Sequence, residues 1–421
     1  MQPTGKYRWK IVALLFFATT INYIDRQILG VLAPLLQENM NWSESAYGWI
    51  VAGFQAAYAI GLLVSGVLLD RFGVKWGYSI AVVIWSLACM LHAAAGSLFL
   101  FVIMRFLLGL GESANFPAAV KTVATWFPKK ERALATGIFN SGSNIAAIIT
   151  PLAIPWIALQ AGWQWAFIIS GMLGILWLIC WRKWYHAPQD HPKISEAERD
   201  WIEQDGPEPM DKLPWKQLVL RRQTVGFAVS LFLTAPVWWF FLYWLPKFLH
   251  SEHQLSITGM AWPLVIVYLI SDAGALAGGW FSSRMVSKGS NPVRARIYTI
   301  LLLALLVIPV MIVPFIQQLG WVIALIALAT FAHQGYASNI FTLVSDVFPK
   351  NATGAVTGIA MFSGAIGGMI FSSITGLVLE RTGDYTPIFI FCGCAYLLSW
   401  AILTVMVRPR YSRYLQIADQ N

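Results

Sequence analysis

Four full charges sit in stretches of this chain that are otherwise fit for hydrocarbon. Asp25 and Arg26 are adjacent in "INYIDRQILG", and Arg105 and Glu112 stand seven apart in "RFLLGLGE". A charged side chain at the centre of a bilayer costs a few kcal/mol or more, so such groups must face a wet cavity or a partner. Adjacent residues on a helix point about 100° apart, so Asp25 and Arg26 address different neighbours rather than each other. Residues seven apart share a face about 10 Å from one another, which puts Arg105 and Glu112 on one stripe with Gly109 between them. Asn115 continues that stripe, and Pro117 is expected to kink the helix just beyond. Two readings compete. In one, the charges form fixed ion pairs, Asp25 with Arg105 and Arg26 with Glu112. In the other they form a proton-coupled anion site. A buried carboxylate holds its proton more tightly when desolvated and less tightly beside an arginine. An arginine drawn to a substrate carboxylate would then let its acid load a proton, and the fixed pairs become one state of a switch.

The elements that must position these groups are apolar and long. The chain has 421 residues, 57% of them hydrophobic and 12% charged, with a mean hydropathy of +0.62. Soluble domains carry about twice that charged fraction. Apolar segments of about 20 residues, long enough to cross roughly 30 Å as helices, recur near 11–36, 46–69, 78–97, 99–123, 134–157, 165–185, 223–249, 258–283, 297–316, 319–346, 354–379 and 386–407. The expected fold class is an all-α polytopic membrane protein of twelve transmembrane helices. With Met1 inside, 24 of the 29 Lys and Arg residues fall in the tails and inner loops. Lys247 and Arg381 fall outside, and Arg26, Arg105 and Lys121 lie within spans. The bias places both termini in the cytoplasm. It also accounts for the net charge of +9 as topology charge facing an anionic leaflet, with no nucleic-acid partner. The first span begins too soon and runs too long for a cleaved signal peptide. Cys89, Cys180, Cys392 and Cys394 lie in apolar spans without metal-type spacing and read as small core residues. Asn41-Trp-Ser43 is a formal sequon in an outer loop.

A polar interruption over 187–222 separates six spans from six. The domains are expected as 1–186, an N-terminal six-helix bundle; 187–222, a cytoplasmic central loop; and 223–421, a C-terminal six-helix bundle. Ser195 with Glu198 makes a capping box and predicts a short surface helix over 195–204, a strap between the bundles. The halves echo each other. "WFPKKERALATGI" follows span 4 and "VFPKNATGAVTGI" follows span 10, with Phe-Pro and Thr-Gly-Ile both displaced by 221 residues. Repeats of like orientation imply a pseudo-two-fold axis along the membrane normal, with a substrate site between the halves at mid-depth. The loop after span 2, Asp70-Arg71-Phe72-Gly73-Val74-Lys75, has a glycine for a tight turn and charges that can grip facing carbonyls and helix ends. It reads as a clasp on the inside gate, against the plainer reading of a topology-setting basic loop.

That loop resembles the signature loop of the major facilitator superfamily through Gly66, Asp70, Arg71, Gly73 and Lys75, and the resemblance extends over the whole chain. "NYIDR", "RFLLGLGESANFPA", "WFPKKERA" and "FNSGS" together resemble the anion:cation symporter family. "FAHQ" and "SDVFP" point to its bacterial hexuronate transporters. The resemblance implies two pseudo-symmetric bundles and proton coupling by carboxylates at Asp25 and Glu112. It implies that Arg26 links substrate and proton, that Arg105 partners the acids, and that Tyr58 contacts substrate, with Tyr23 in the same "NY-DR" element. Ser143 stands where a galactonate-type relative has glutamine, which favours a hexuronate. The second half offers hydroxyl, amide and indole groups suited to a polyhydroxylated acid: Tyr243, His333, Gln334, Asn339, Ser363, and Trp238, Trp239 and Trp244. For two of the three tryptophans the competing reading is lipid or interfacial packing. His333 reads equally as a packing residue. Asp272, with Gly274, Gly278 and Gly279 nearby, reads as an aid to helix packing, and Lys121 can snorkel to the inner surface.

The function expected is a proton-coupled symporter importing an anionic sugar acid, a hexuronate, by alternating access. It would be a monomer in the bacterial inner membrane, with protons as coupling ion and no cofactor or metal. The alternatives are transport of another organic monoanion such as galactonate or glucarate, and uncoupled facilitation. A drug exporter is disfavoured because "GSNIAAIITPLA" lacks closely spaced glycines. An organophosphate exchanger is disfavoured because span 7 has no arginine. As controls from other classes stand a membrane sensor and a membrane enzyme, and no nucleophile elbow, phosphate loop or paired metal-ligand motif supports the latter.

Overall fold

The computed structural model describes residues 5–205 and 215–407, and among them there is no β-strand. The first helix, α1, is Tyr7–Met40. A helical run over Glu44–Leu91 is broken at Gly73, whose φ of 71° and ψ of 161° lie where side chains other than glycine's are strained. The break separates α2 (44–72) from α3 (74–91). Then come α4 (Leu98–Trp126), α5 (Lys129–Ala161) and α6 (Trp163–Trp184). Two short helices follow, α7 (Glu196–Glu203) and α8 (Trp215–Val219). The second series is α9 (Arg222–Tyr243), a short α10 (Leu245–His253), α11 (Ala261–Ser287), α12 (Pro292–Val307, extended as a 3-10 helix to Phe315), α13 (Leu319–Val347), α14 (Lys350–Thr382) and α15 (Thr386–Met406).

Ten helical stretches among the described residues are long and apolar enough to cross a membrane. Glu44–Ala94 supplies two crossings because Gly73 interrupts it. With α1, which is 34 residues long and carries Asn22, Asp25, Arg26 and Gln27 on its buried side, the described helices make twelve crossings. Their exposed faces are apolar: Leu63, Val67, Trp156, Leu276 and Trp280 all stand more than half exposed. Apolar residues outside and polar residues inside suit a hydrocarbon solvent.

The chain divides into two compact units, Met1–Met40 with Gly53–Pro209, and Asn41–Ala52 with Met210–Asn421. The internal repeat is visible within each. In the first, α1 packs along α5; in the second, α9 packs along α14. Pro128 and Pro349, displaced by the same 221 residues, hold the same N-cap conformation at the starts of α5 and α14 (φ −63°, ψ 155° and φ −65°, ψ 157°). Small residues set the closest approaches. A Cβ on Gly109 of α4 would stand 2.5 Å from the Phe54 carbonyl of α2. Gly274 and Gly278 of α11 meet Phe331 and Gly335 of α13 in the same way, while the half-buried Asp272 lies on that helix.

The short helix over Glu196–Glu203 is present, with Ser195 Oγ accepting the Glu198 amide at 3.2 Å. The Glu198 carboxylate completes no capping box. It accepts from Arg8 Nη1 at 3.3 Å and from the Arg8 amide at 3.1 Å instead, while Arg8 Nε and Nη2 hold Glu131 at 2.8 and 3.2 Å. The strap is therefore clamped to the first unit through one buried arginine; its continuation at 206–214 lies outside the described residues. The cysteine reading needs correction. Cys89 and Cys392 are buried, but Cys180 is only partly covered and Cys394 is exposed on an apolar face. The bend expected just beyond Asn115 comes before it. The helix breaks at Ser113–Ala114 and restarts at Asn115, because Pro117 has no N–H for the carbonyl four residues back, that of Ser113.

Candidate functional site

The intramembrane charges of the first unit converge. Asp25 and Arg105 are fully buried, Glu112 is 1% exposed and Arg26 is 5% exposed. Arg26 of α1 donates from Nε to Glu112 Oε2 of α4 at 3.0 Å and from Nη2 to Asn22 Oδ1 at 3.3 Å. Asn22 Nδ2 in turn donates to the Glu112 carbonyl at 3.4 Å. The guanidinium lies over three aromatic rings: Tyr58 at 4.8 Å, Tyr23 at 4.9 Å and Phe54 at 5.5 Å. A planar, weakly hydrated cation suits such a cage, and the aromatic faces offset part of the cost of burying it.

Of the two ion pairs weighed from the sequence, one forms. Arg26 pairs with Glu112, but Asp25 is held elsewhere. Its Oδ1 accepts from Cys89 Sγ of α3 at 3.1 Å and from Ser170 Oγ of α6, and Arg105 makes no hydrogen bond to it. Nε, Nη1 and Nη2 of Arg105 all lack a hydrogen-bond partner among the described residues, as do Asp25 Oδ2 and Glu112 Oε1. Arg105 still acts through its charge on both acids. Asn115 is satisfied by packing partners, accepting from the Tyr78 hydroxyl and donating to Thr19 Oγ1 at 3.4 Å.

Sequence reasoning missed several of these contacts. Asn22 stood in a quoted motif with no role. Phe54 carries no signal beyond its place one turn before Tyr58. Ser170 reaches Asp25 from 145 positions away, and nothing local marks it. Cys89, expected as a small core residue, is buried and also donates to the buried acid.

The other expected site residues are placed as follows. Ser143, partly exposed on α5, bonds within its own helix, to the Asn140 carbonyl at 2.7 Å and Asn144 Oδ1 at 3.1 Å. In the gating loop, Asp70 receives Lys121 Nζ at 2.6 Å, and the same ammonium reaches the Leu69 carbonyl at 3.0 Å. Lys121 therefore ties α4 to this loop rather than only reaching for the inner surface. Gly73 supplies the turn, Arg71 is exposed beside the Phe72 ring at 5.6 Å, and the Lys75 carbonyl accepts from Trp181 Nε1 at 3.3 Å.

The second unit carries His333, Gln334, Asn339 and Ser363. His333 stacks on Trp238 at 5.1 Å and meets the Tyr396 hydroxyl through Nδ1 at 2.5 Å. Asn339 is buried and donates to the Gly335 carbonyl at 2.8 Å, with its Oδ1 unpartnered among the described residues. Gln334 and Ser363 are partly exposed. The lipid-packing reading of the tryptophans fails. Trp239 is buried and stacks on Tyr243 at 5.9 Å, Trp244 is buried edge-on to Tyr47, and Trp238 is paired with His333.

Comparison with known proteins adds the family. The model of the Major Facilitator Superfamily matches residues 15–372 and 296–416. A protein named hexuronate transporter from Escherichia coli (strain K12) is 32% identical over 413 residues, 96% of this chain and 95% of that one. A "Probable galactarate/D-glucarate transporter GudP" from Bacillus subtilis (strain 168) is also 32% identical, over 95% of this chain and 93% of that one. In fold, the chain is similar to the inward-open xylose transporter XylE from E. coli, with a TM-score of 0.74 at 16% identity, covering 98% of this chain and 99% of that one. With a family model over nearly its whole length and relatives that are transporters rather than enzymes, the chain belongs to the major facilitator superfamily as a multi-pass inner-membrane transporter.

Proposed function

We propose that the protein imports a sugar acid of the hexuronate class together with protons, and that Arg26 is the pivot. The observation that carries this reading is the Arg26–Glu112 pair, buried under Tyr23, Tyr58 and Phe54. A buried ion pair broken on one side leaves an uncompensated charge. When Arg26 turns to a substrate carboxylate, Glu112 loses its counter-charge and takes up a proton. Substrate and proton therefore load together. Asp25, held by two hydrogen bonds and near the Arg105 charge, is the second group able to exchange a proton. Relatives named for hexuronates and for galactarate and D-glucarate are equally similar, so the monoanions and dianions belong in one experiment.

Purified protein in vesicles is given labelled glucuronate, galacturonate, galactonate or glucarate under an imposed inward proton gradient. The reading expects glucuronate or galacturonate to accumulate above its outside concentration and the accumulation to collapse with a protonophore. Equal filling with and without the gradient would leave a facilitator. Accumulation of the dianions alone would move the substrate class.

A further inference from the structure

Around Asp25 and Arg105 the unpartnered atoms are complementary in kind. Arg105 presents only donors, and none of its three nitrogens has a hydrogen-bond partner among the described residues. Asp25 Oδ2 and Glu112 Oε1 are acceptors without donors. A third such acceptor is His92 Nε2. His92 is fully buried at the end of α3, and its Nδ1 stands 2.7 Å from the Ala88 carbonyl. A carbonyl only accepts, so Nδ1 carries the proton and Nε2 is left as the acceptor in the neutral ring.

The surroundings fix that ring. It stacks on Phe167 of α6 at 4.9 Å with an 8° interplanar angle, and Phe101 of α4 meets it edge-on at 4.9 Å. The charges facing the cluster are Asp25 from α1 and Arg105 and Glu112 from α4. Arg105 acts on His92 itself, and all three act on Cys89, one turn earlier on α3. From α6 come Phe167 and the Ser170 hydroxyl, with Trp163 behind Phe101 and Phe167. His92 opens a single 3-10 turn, His92–Ala94, that ends the helix, and Ala94, Gly96 and Ser97 are exposed on the side that the charge bias places outside. His92 thus lies between the outer surface and the buried Asp25.

We propose that His92 is the outer member of a proton relay that loads Asp25, with buried water joining His92 Nε2, the Arg105 nitrogens and Asp25 Oδ2. A buried polar group without a partner is costly, and one water can satisfy two to four such groups at once. In the loading step Nε2 takes a proton that the buried water delivers from the outer side, giving an imidazolium whose Nδ1–H stays on the Ala88 carbonyl. Nε2–H then passes its proton through water to the Asp25 carboxylate, and the neutral ring is restored. One proton enters, one carboxylate is neutralised, and no bond other than those to hydrogen changes. His92 touches no substrate; it supplies the proton. This inference rests on the proton-coupled reading above.

The test compares wild type with His92→Gln in vesicles, measuring hexuronate uptake under a proton gradient at outside pH 7.5 and 5.5. The relay predicts that maximal rate in the variant falls roughly tenfold or more at pH 7.5, as for loss of a proton-transfer group. It predicts a smaller loss at pH 5.5, where protons are abundant, and an unchanged KM for the sugar acid. His92→Phe keeps a ring between Phe101 and Phe167 but no nitrogen, and should show the same pH-selective loss. Variant profiles that superimpose on wild type, or that fall equally at both pH values, overturn the relay while leaving proton coupling intact. Wild-type uptake indifferent to the gradient overturns the coupled reading, and the relay falls with it.

Discussion

Glu112→Gln removes one charge from the pair that the account treats as the coupling device, and its consequence can be worked out. Arg26 Nε and Glu112 Oε2 are 3.0 Å apart. At an effective dielectric of about 20, that separation corresponds to about 5.5 kcal/mol of attraction before the desolvation of either group is counted. Glutamine keeps an oxygen for Arg26 Nε, so the helices stay in register, but it cannot load a proton. In the wild type one proton moved per monoanion converts a gradient of one pH unit, about 1.4 kcal/mol, into about a tenfold accumulation. In Glu112→Gln a proton loaded at Asp25 has no acid at the Arg26 pivot to release the substrate-bound state, so the same gradient should drive none: the inside-to-outside ratio settles at one. Counterflow exchange, which needs the sugar-acid site but no net proton movement, should persist. Paired counterflow and accumulation measurements in one vesicle preparation read both quantities. Accumulation clearly above one in the variant would refute the assignment of the proton to Glu112.

Other consequences are as direct. Arg26→Lys keeps the charge but loses the planar fork and much of its fit to Tyr23, Tyr58 and Phe54, so hexuronate affinity measured by calorimetry should fall roughly tenfold, about 1.4 kcal/mol; unchanged affinity would remove Arg26 from the substrate site. Arg8→Ala leaves the buried Glu198 and the part-buried Glu131 without their shared cation and should lower the stability of the detergent-solubilised protein by about 3 kcal/mol or more, read as a depressed Tm. In the inner loop, burial holds the His191 pKa below its ordinary value, partly offset by its bond to the Trp184 carbonyl. The folded strap thus favours neutral His191, and the docked form gains nothing from this group's protonation. Its stability is fully present above about pH 6.5 and is lost as pH falls below that value. Amide exchange over 186–205, corrected for intrinsic rate, should rise between pH 7 and 5.5, and His191→Gln should flatten that rise.

The crossings were legible because lipid demands long apolar helices and because lysine and arginine mark the inner side. The repeat was legible because Phe-Pro sits at a helix start in both halves, where Pro128 and Pro349 hold the same cap. The partners of the charges were only half legible. Helix geometry says that Asp25 and Arg26 point apart, but it does not say what each one meets. Arg26 found Glu112 as the spacing allowed. Asp25 found Cys89 and Ser170, whose sequence positions carry no periodic signal, and Arg105 was left without a hydrogen-bond partner among the described residues. For the tryptophans at the end of α9 and just beyond it, lipid packing stood as a competing reading because an apolar run looks alike whether it faces lipid or a histidine ring. The break in α4 was displaced by three residues because a proline acts on the carbonyl four positions before it.

The central claim is that sugar acid and proton enter together through the exchange at Arg26 and Glu112. Vesicles holding the protein and a trapped pH indicator, with no gradient imposed, test it most directly on addition of glucuronate or galacturonate outside. The account predicts internal acidification in step with sugar-acid entry, absent in Glu112→Gln. Sugar acid entering the wild-type vesicles while internal pH stays constant would contradict it.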